Sequence, residues 1–432
     1  MENTKKDTYN NKIYIFSIIG IIVFFIPIKI NNQYDTIIYH ISYFIDNKAS
    51  QIINISMIFF ILLSIFKSLL NMEKNIINKF KITCKIFSLI ILISVLIGKE
   101  DTFFINDSFI FILKDLIVDL SVLLPISSLF MPFLLDYGLT EIIEAYTHKF
   151  MKKLFKVSGK VFLNFLVYLL VNNVCGAFVT YRLYKDGKLR EREACITILN
   201  FSILSLTLTR DLCHMINIRT IKFLFMEIIV LCICNFIICR IYPLKKKKQS
   251  YYFKSNHKNV NCKRHKIKTA IKKYNENKSN KNILKLSLSY LNDVIYILMD
   301  LIPLVILVFF ISNIIYNIPV IMNMINNAIC IFINIFNIPN SNSISNIITL
   351  SLFSNILAIE NIPKDTYYII KIMIGIFISL QCITICFLIP FIKNSIIDLK
   401  IKEIMLVNFQ RFSIILFICF IVYNFYLGYI IY

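Results

Sequence analysis

Residues Val161–Tyr181, VFLNFLVYLLVNNVCGAFVTY, are apolar enough to lie inside a membrane, yet both of their flanks are basic. Lys152, Lys153, Lys156 and Lys160 precede the stretch, and Arg182, Lys185, Lys188, Arg190 and Arg192 follow it. A helix that crosses a bilayer once leaves its Lys/Arg excess on the cytoplasmic side only. The stretch is too short for two full crossings, since each needs about 20 residues. It can instead enter, turn at Asn172, Asn173 and Gly176, and come back to the side it left. Backbone at such a turn loses helical hydrogen bonds, which a membrane tolerates only where the turn is packed in protein or lines a wet cavity. Asn side chains can re-satisfy the freed groups, and Gly permits the bend. The alternative is a kinked single span followed by a basic loop.

The surroundings favour a membrane. Of the 432 residues 57% are hydrophobic, and mean hydropathy is +0.70, which is outside the soluble globular range. Several apolar runs exceed the roughly 18 residues of a spanning helix. Trp is absent, so the 23 Tyr and the Lys residues are left to anchor the interfaces. The net charge of +22 does not point to nucleic acid, because it is concentrated. Between Ile241 and Lys285 stand 15 Lys/Arg against Glu276 alone, which is +14 of the +22. One basic segment between apolar spans is the pattern of a cytoplasmic loop attracted to anionic lipid headgroups.

Charge orients the chain. The apolar runs Ile13–Ile30, Ile52–Phe66 and Ile86–Ile97 are separated by the neutral polar segment Asn31–Ser50 and the lysine-rich Lys67–Lys85. The acidic Lys99–Asp107 follows. These place the N-terminus in the cytoplasm. Ser108–Leu135 is a fourth span. Asp136–Gly159 has Leu139, Ile142, Ile143, Tyr146, Phe150, Leu154 and Phe155 at helical spacing among charged residues, as a helix lying on the membrane surface would. After the broken stretch, Ala194–Ile216 carries a polar stripe that includes Ser202, Ser205, Arg210 and Asp211, and Ile221–Arg240 carries Glu227. Ionisable groups inside a membrane mark wet paths.

The second half repeats this order. Leu286–Tyr316 is a span, Ile318–Ile338 an apolar segment with regular Asn, and Asn340–Asn361 a short piece centred on Ser351, Ser354 and Asn355. Tyr367–Ile392 is a span with Ser379, Gln381 and Thr384, and Ile404–Tyr429 is the last, with Asn408, Gln410 and Arg411 at its start. The first set enters from outside and the second from inside, the signature of inverted repeats whose interrupted helices meet near the midplane. The expected fold is an all-α polytopic membrane protein of about eight to ten transmembrane helices. It has two inverted-topology repeats containing re-entrant or broken helices. Its parts are a three-helix region over 1–107, a first repeat over 108–241, the basic loop over 242–285 and a second repeat over 286–432.

Other chemistries find little support. There is no Walker A or GxGxxG pattern, and eight Gly in the whole chain leave no phosphate-cradling loop. His257, Cys262 and His265 fall by chance in a biased linker and are not taken as a metal site. No Ser/His or Cys/His spacing suggests a nucleophile, so no enzyme and no cofactor are expected. The 12 Cys are scattered, mostly in apolar spans, without a CxxC pair, and serve as small hydrophobes.

A family likeness follows the same landmarks. Tyr184, Gly187, Arg192, Glu193 and Ala194, the span with Ser202, Ile378–Gln381 (ISLQ) and Arg411 stand in the order found in YjiH-type membrane proteins, which the chain resembles over about Phe130–Arg240 and more weakly over Tyr367–Tyr423. That family carries the nucleoside recognition (Gate) domain, related to concentrative nucleoside transporters. The resemblance implies a transporter or permease in the cell membrane. The chain departs from the family at the first hairpin tip, where Asn172 and Asn173 replace Gly and Ser, and Thr349–Ile362 is poorly matched. Candidate solute contacts are Asn172, Asn173, Gly176, Ser202, Ser205, Ser354, Asn355, Gln381 and Arg411. The expected partners are the lipid bilayer, anionic lipid at the Ile241–Lys285 loop, a small polar solute and a second copy of the chain. The competing expectation is a non-transporting membrane scaffold or assembly protein that docks through that loop.

Overall fold

A computed structural model describes residues 15–30, 33–70, 76–97, 107–252, 282–335, 338–352, 354–362, 367–381 and 385–431. Met1–Lys12, most of the acidic Lys99–Asp107 segment, Thr384 and most of the basic loop, including His257, Cys262, His265 and Glu276, lie outside the described residues.

The first helix, α1 (Ile15–Phe25), is shorter than the apolar run that contains it. It stops ahead of Pro27, whose ring disfavours helix in the residue before it. An antiparallel ribbon follows, β1 (Pro27–Ile30) with β2 (Gln33–Thr36), in register Pro27 to Thr36. The segment Asn31–Ser50 is therefore not the polar loop expected from sequence. Its second part belongs to α2 (Ile37–Leu70), which kinks at Ala49. The ribbon docks on a later helix, where Thr207 donates to Asp35 and Arg210 to the Tyr34 carbonyl.

Next come α3 (Ile76–Ile97) and α4 (Asp107–Val118), which runs through a π-turn at Asp119–Leu123 into α5 (Leu124–Leu135). The amphipathic α6 (Leu139–Phe155) starts behind Gly138 in the left-handed conformation. Two short helices, α7 (Lys160–Leu170) and α8 (Asn173–Lys185), fill the opening stretch. They are followed by α9 (Glu191–Asn200), α10 (Leu206–Ile216) and α11 (Thr220–Ile238). The second half contains α12 (Ile283–Tyr316), α13 (Pro319–Asn334), α14 (Ser341–Ser351) and α15 (Asn355–Glu360). It ends with α16 (Tyr368–Leu380), α17 (Ile385–Asn394) and α18 (Ile401–Ile431).

The described residues are thus mostly helical, with one short ribbon among them. Among the described residues, five helices or helix segments are long and apolar enough to cross a membrane: Ile37–Leu70, Lys79–Ile97, Thr220–Ile238, Ile283–Tyr316 and Ile401–Asn424. Other apolar runs change or leave the α-helix, at 119–123, at 201–205 and after Leu380, so their helices fall short of that length.

The outer faces are apolar. On α11, Ile221, Phe225, Ile229, Ile233 and Phe236 are exposed, while Glu227 and Asn235 are buried with Phe223 and Val230. This inside-out amphipathicity would cost free energy in water and suits a hydrocarbon surround. Inside, the buried apolar residues form one continuous core from Val23 to Tyr423. The long α12 is its axis, packing on α2, α3, α5 and α17. Phe109 stacks on Phe309 at 5.0 Å, and Asp300 of α12 receives Lys85 at 2.7 Å and Lys67 at 3.2 Å.

Candidate functional site

The stretch from 161 to 181 folds back on itself. Asn164 of α7 donates to the Thr180 hydroxyl of α8 at 2.6 Å, and the Tyr168 ring lies against Gly176. The pairs 164–180 and 168–176 run in opposite directions, so α7 and α8 form an antiparallel helical hairpin. The turn is tighter than the sequence suggested. It is confined to Val171 and Asn172, where Asn172 is extended and its side-chain oxygen accepts the Cys175 amide at 2.8 Å. This is an N-cap, satisfying one of the orphan amides at the start of α8. Gly176 is not in the turn. It lies within α8, where a Cβ would stand 2.5 Å from the Tyr168 ring, so its role is close approach of the two helices. The hairpin seats on α5 through Cys175, whose thiol meets the Ser127 hydroxyl at 3.3 Å.

The second half uses the same capping device. Between α14 and α15, the Ser354 hydroxyl caps the start of α15 by accepting the Leu357 amide at 3.3 Å. The following α15, which begins at Asn355, packs on α10 and α16.

Two further helix breaks lie between these caps. The connecting strand 202–205 between α9 and α10 is non-helical, and α16 ends at Gln381. The Leu204 amide donates to the Ser379 carbonyl at 3.0 Å, joining the two breaks. Asn173 accepts the Ile203 amide at 3.3 Å, so the hairpin tip reaches the same connecting strand. From α18, Arg411 enters fully buried. Its guanidinium donates to the Leu199 carbonyl at 2.9 Å, the Ser202 hydroxyl at 3.1 Å and the Ser202 carbonyl at 2.5 Å. A cation here satisfies the carbonyls that α9 leaves open at its C-terminal end and complements the helix dipole.

Of the sequence candidates, Asn173, Ser202 and Arg411 are therefore joined by hydrogen bonds through the strand 202–205. Asn172 precedes Asn173 directly, and Gln381 stands two residues beyond Ser379. Ser205 opens α10, its carbonyl accepting the Thr209 amide at 2.8 Å. Ser354 and Asn355 belong to the other capped break, and Gly176 faces Tyr168, away from the strand.

Several buried polar groups lack partners, and Asn200, Asn235 and Asn408 among them stand outside the candidates named from sequence. Both side-chain atoms of Asn200, Asn235 and Asn408 are buried without a hydrogen-bond partner, as are Asn172 Nδ2 and Gln381 Oε1. Asn200 lies between two residues that Arg411 bonds, and Asn408 is one helical turn before Arg411 on α18. Asn235 follows Cys234, which senses the Arg411 charge. Buried amides of this kind are ordinarily bonded to protein or to ordered water. The cue in the sequence was Asn on the face of a span that also carries Glu or Arg. The described apolar cavity is separate: about 30 Å³, lined by Ile333, Ile348, Phe377 and Cys419 among others, it suits no polar solute.

The basic flank of the hairpin is neutralised by specific partners. Arg182 pairs with Asp293 of α12 and with Asp186, and its guanidinium lies 3.8 Å over the Tyr290 ring. Lys185 reaches Asp293 at 2.8 Å, Lys188 reaches Asp136 at 2.8 Å, and the Tyr290 hydroxyl donates to Asp136 at 2.6 Å. Burial pushes the Asp186 carboxyl above the ordinary carboxylate range, against the pull of Arg182 and Lys188. Burial disfavours the Lys188 charge, but Asp136, Glu141 and Asp186 outweigh it and hold the ammonium charged beyond the usual lysine range. On the other flank Lys160 lies 3.8 Å from Glu144.

No family model and no solved structure matches the chain. An uncharacterized protein of Alkalihalophilus pseudofirmus is 30% identical over 128 residues, a match that covers 29% of this chain and 28% of that protein.

Proposed function

We propose that the chain is a secondary transporter or permease of a small polar solute, nucleoside-like in its hydrogen bonding, working by alternating access around two broken helical elements. The observation that carries this reading is the meeting of the Asn172–Asn173 tip, the non-helical connection 202–205 and the end of α16 at 379–381 inside a body with apolar outer faces. Discontinuous helices converging in this way supply backbone groups and amide side chains to a solute without exposing them to lipid.

Three further points support it. The order α5, α6, α7–α8, α9–α10, α11 is matched by α12, α13, α14–α15, α16–α17, α18. The two capped breaks, at Asn172 and Ser354, use the same i to i+3 side-chain bond. The basic flanks on both sides of 161–181 suit a re-entrant hairpin. We therefore take 108–241 and 286–432 as inverted repeats in the cell membrane, with the N-terminus in the cytoplasm. The likeness to Gate-domain proteins points the same way.

The test is uptake into proteoliposomes of the purified chain, with a panel of nucleosides and other small polar solutes. The wild type is expected to move at least one solute, and Ser202→Ala or Asn173→Ala to slow it by about tenfold, the loss of one buried hydrogen bond. Failure of the wild type to move any of them in a folded, monodisperse preparation overturns the reading.

A further inference from the structure

Glu227 is the buried acid that the hydrogen-bond networks described above leave out. It lies midway along α11, fully buried, and neither carboxyl oxygen has a hydrogen-bond partner. The exposed face of α11 at this level is Phe225 and Ile229, so the group has no route to water on that side.

Its neighbourhood is built by a close helix crossing. One turn earlier, Phe223 packs against Gly375 of α16, where a Cβ would stand 3.0 Å from the ring. One turn later on both helices, Glu227 faces Ser379. The Ser379 hydroxyl donates to the Ile376 carbonyl at 3.0 Å. An ionised Glu227 must draw that hydroxyl away from the carbonyl and has one neutral donor for a buried charge, whereas a protonated one can donate to Ser379 Oγ and leave the bond to Ile376 in place. The carbonyl of the same Ser379 holds the Leu204 amide, the bond that joins the two helix breaks.

The other elements packed on α11 bring no compensating charge to this point. On α10 the Cys213 thiol interacts with Glu227, while Arg210 pairs with Asp211 and His214 lies in the last turn. From α18, Arg411 approaches at Cys234, about two turns further along α11. The basic end of α6 meets α11 at its far end, where Arg240 donates to the Leu154 and Lys153 carbonyls.

We propose that Glu227 is a proton-binding site: it holds a proton while the Leu204–Ser379 joint is closed and releases it to water when the joint parts, so that one proton moves with each opening. The step is acid dissociation alone, carboxylic acid to carboxylate plus a proton accepted by water. Its role in coupling rests on the transport reading; the protonation does not.

The experiment is infrared difference spectroscopy of the full chain in lipid nanodiscs, between acid and alkaline buffers, in H₂O and D₂O. The wild type is expected to show a deuterium-sensitive carboxylic-acid carbonyl band that titrates. Glu227→Gln should lose that band, and Glu227→Asp should keep a band with a displaced midpoint. A spectrum unchanged by Glu227→Gln overturns the proposal. So does a midpoint that moves with sodium concentration at constant ionic strength, which would assign the site to a metal cation. If the band behaves as expected but no solute is transported, the transport reading falls and the proton site stands.

Discussion

The amide of Leu204 and the carbonyl of Ser379 lie 3.0 Å apart, and through them the break after α9 is bonded to the end of α16. Residues 175 positions apart in sequence thus complete each other's backbone where each helix has lost its own ladder. Helix ends inside an apolar body must find such partners, because water is not there to supply them. The hairpin tip, the Arg411 guanidinium and the Glu227 carboxyl are arranged around this joint.

Arg411 should be the residue whose loss the α9 break tolerates least. Its removal leaves the Leu199 and Ser202 carbonyls buried and unsatisfied. Arg411→Ala is expected to cost on the order of 3 kcal/mol. Arg411→Lys should recover only part, since an ammonium lacks the planar fork that spans both carbonyls. Unfolding of the detergent-solubilised variants measures both.

Gly176 should matter through packing alone. Gly176→Ala drives a methyl into the Tyr168 ring and is expected to destabilise the α7–α8 hairpin by about 1–3 kcal/mol. The double variant Gly176→Ala with Tyr168→Leu should be less destabilised than the sum of the two single changes. Strict additivity in that cycle would contradict the contact.

That α7 and α8 fold back on each other agrees with the charge pattern, since basic residues on both sides of 161–181 disfavour a simple crossing. The exact turn was not legible in the sequence. Asn172, Asn173 and Gly176 all favour a bend, and only the Tyr168 contact removes Gly176 from it. The shortness of α1 and the extension of α2 through the polar Asp46–Lys48 segment were missed because polar residues on an exposed helix face look like a loop in sequence. Glu227 and Asn235 lie among the apolar residues of α11 and Asn200 within the polar stripe beside Ser202, and spacing alone does not set them apart as site members. Only packing reveals that α9, α11 and α18 bring Asn200, Asn235 and Asn408 toward Arg411.

The caps at the two breaks make paired predictions. Asn172→Ala and Ser354→Ala remove the acceptors for the Cys175 and Leu357 amides, and each is expected to cost about 1 kcal/mol. Asn172→Asp should retain the cap. Equal stability of wild type and Asn172→Ala would show that the cap is not formed.

Asp186 gives the chain a signed pH dependence. Burial raises its carboxyl above the unfolded value. The folded state therefore binds this proton more tightly, and its contribution to stability is fully present below the ordinary carboxylate range. That contribution is lost as pH rises through the raised folded value. Asp186→Asn should abolish this component and be relatively more stable than wild type at neutral pH, the difference shrinking toward acid. Thermal unfolding between acid and neutral pH checks the sign.

The central claim, that 161–181 leaves and re-enters on one side of the membrane, is tested most directly by accessibility. Single cysteines at Lys153 and Arg190, in a background with the native cysteines replaced, are labelled in sealed vesicles with a membrane-impermeant thiol reagent applied from each side in turn. The account predicts that both positions react from the same face. Labelling of Lys153→Cys and Arg190→Cys from opposite faces would contradict the re-entrant hairpin and, with it, the inverted repeat.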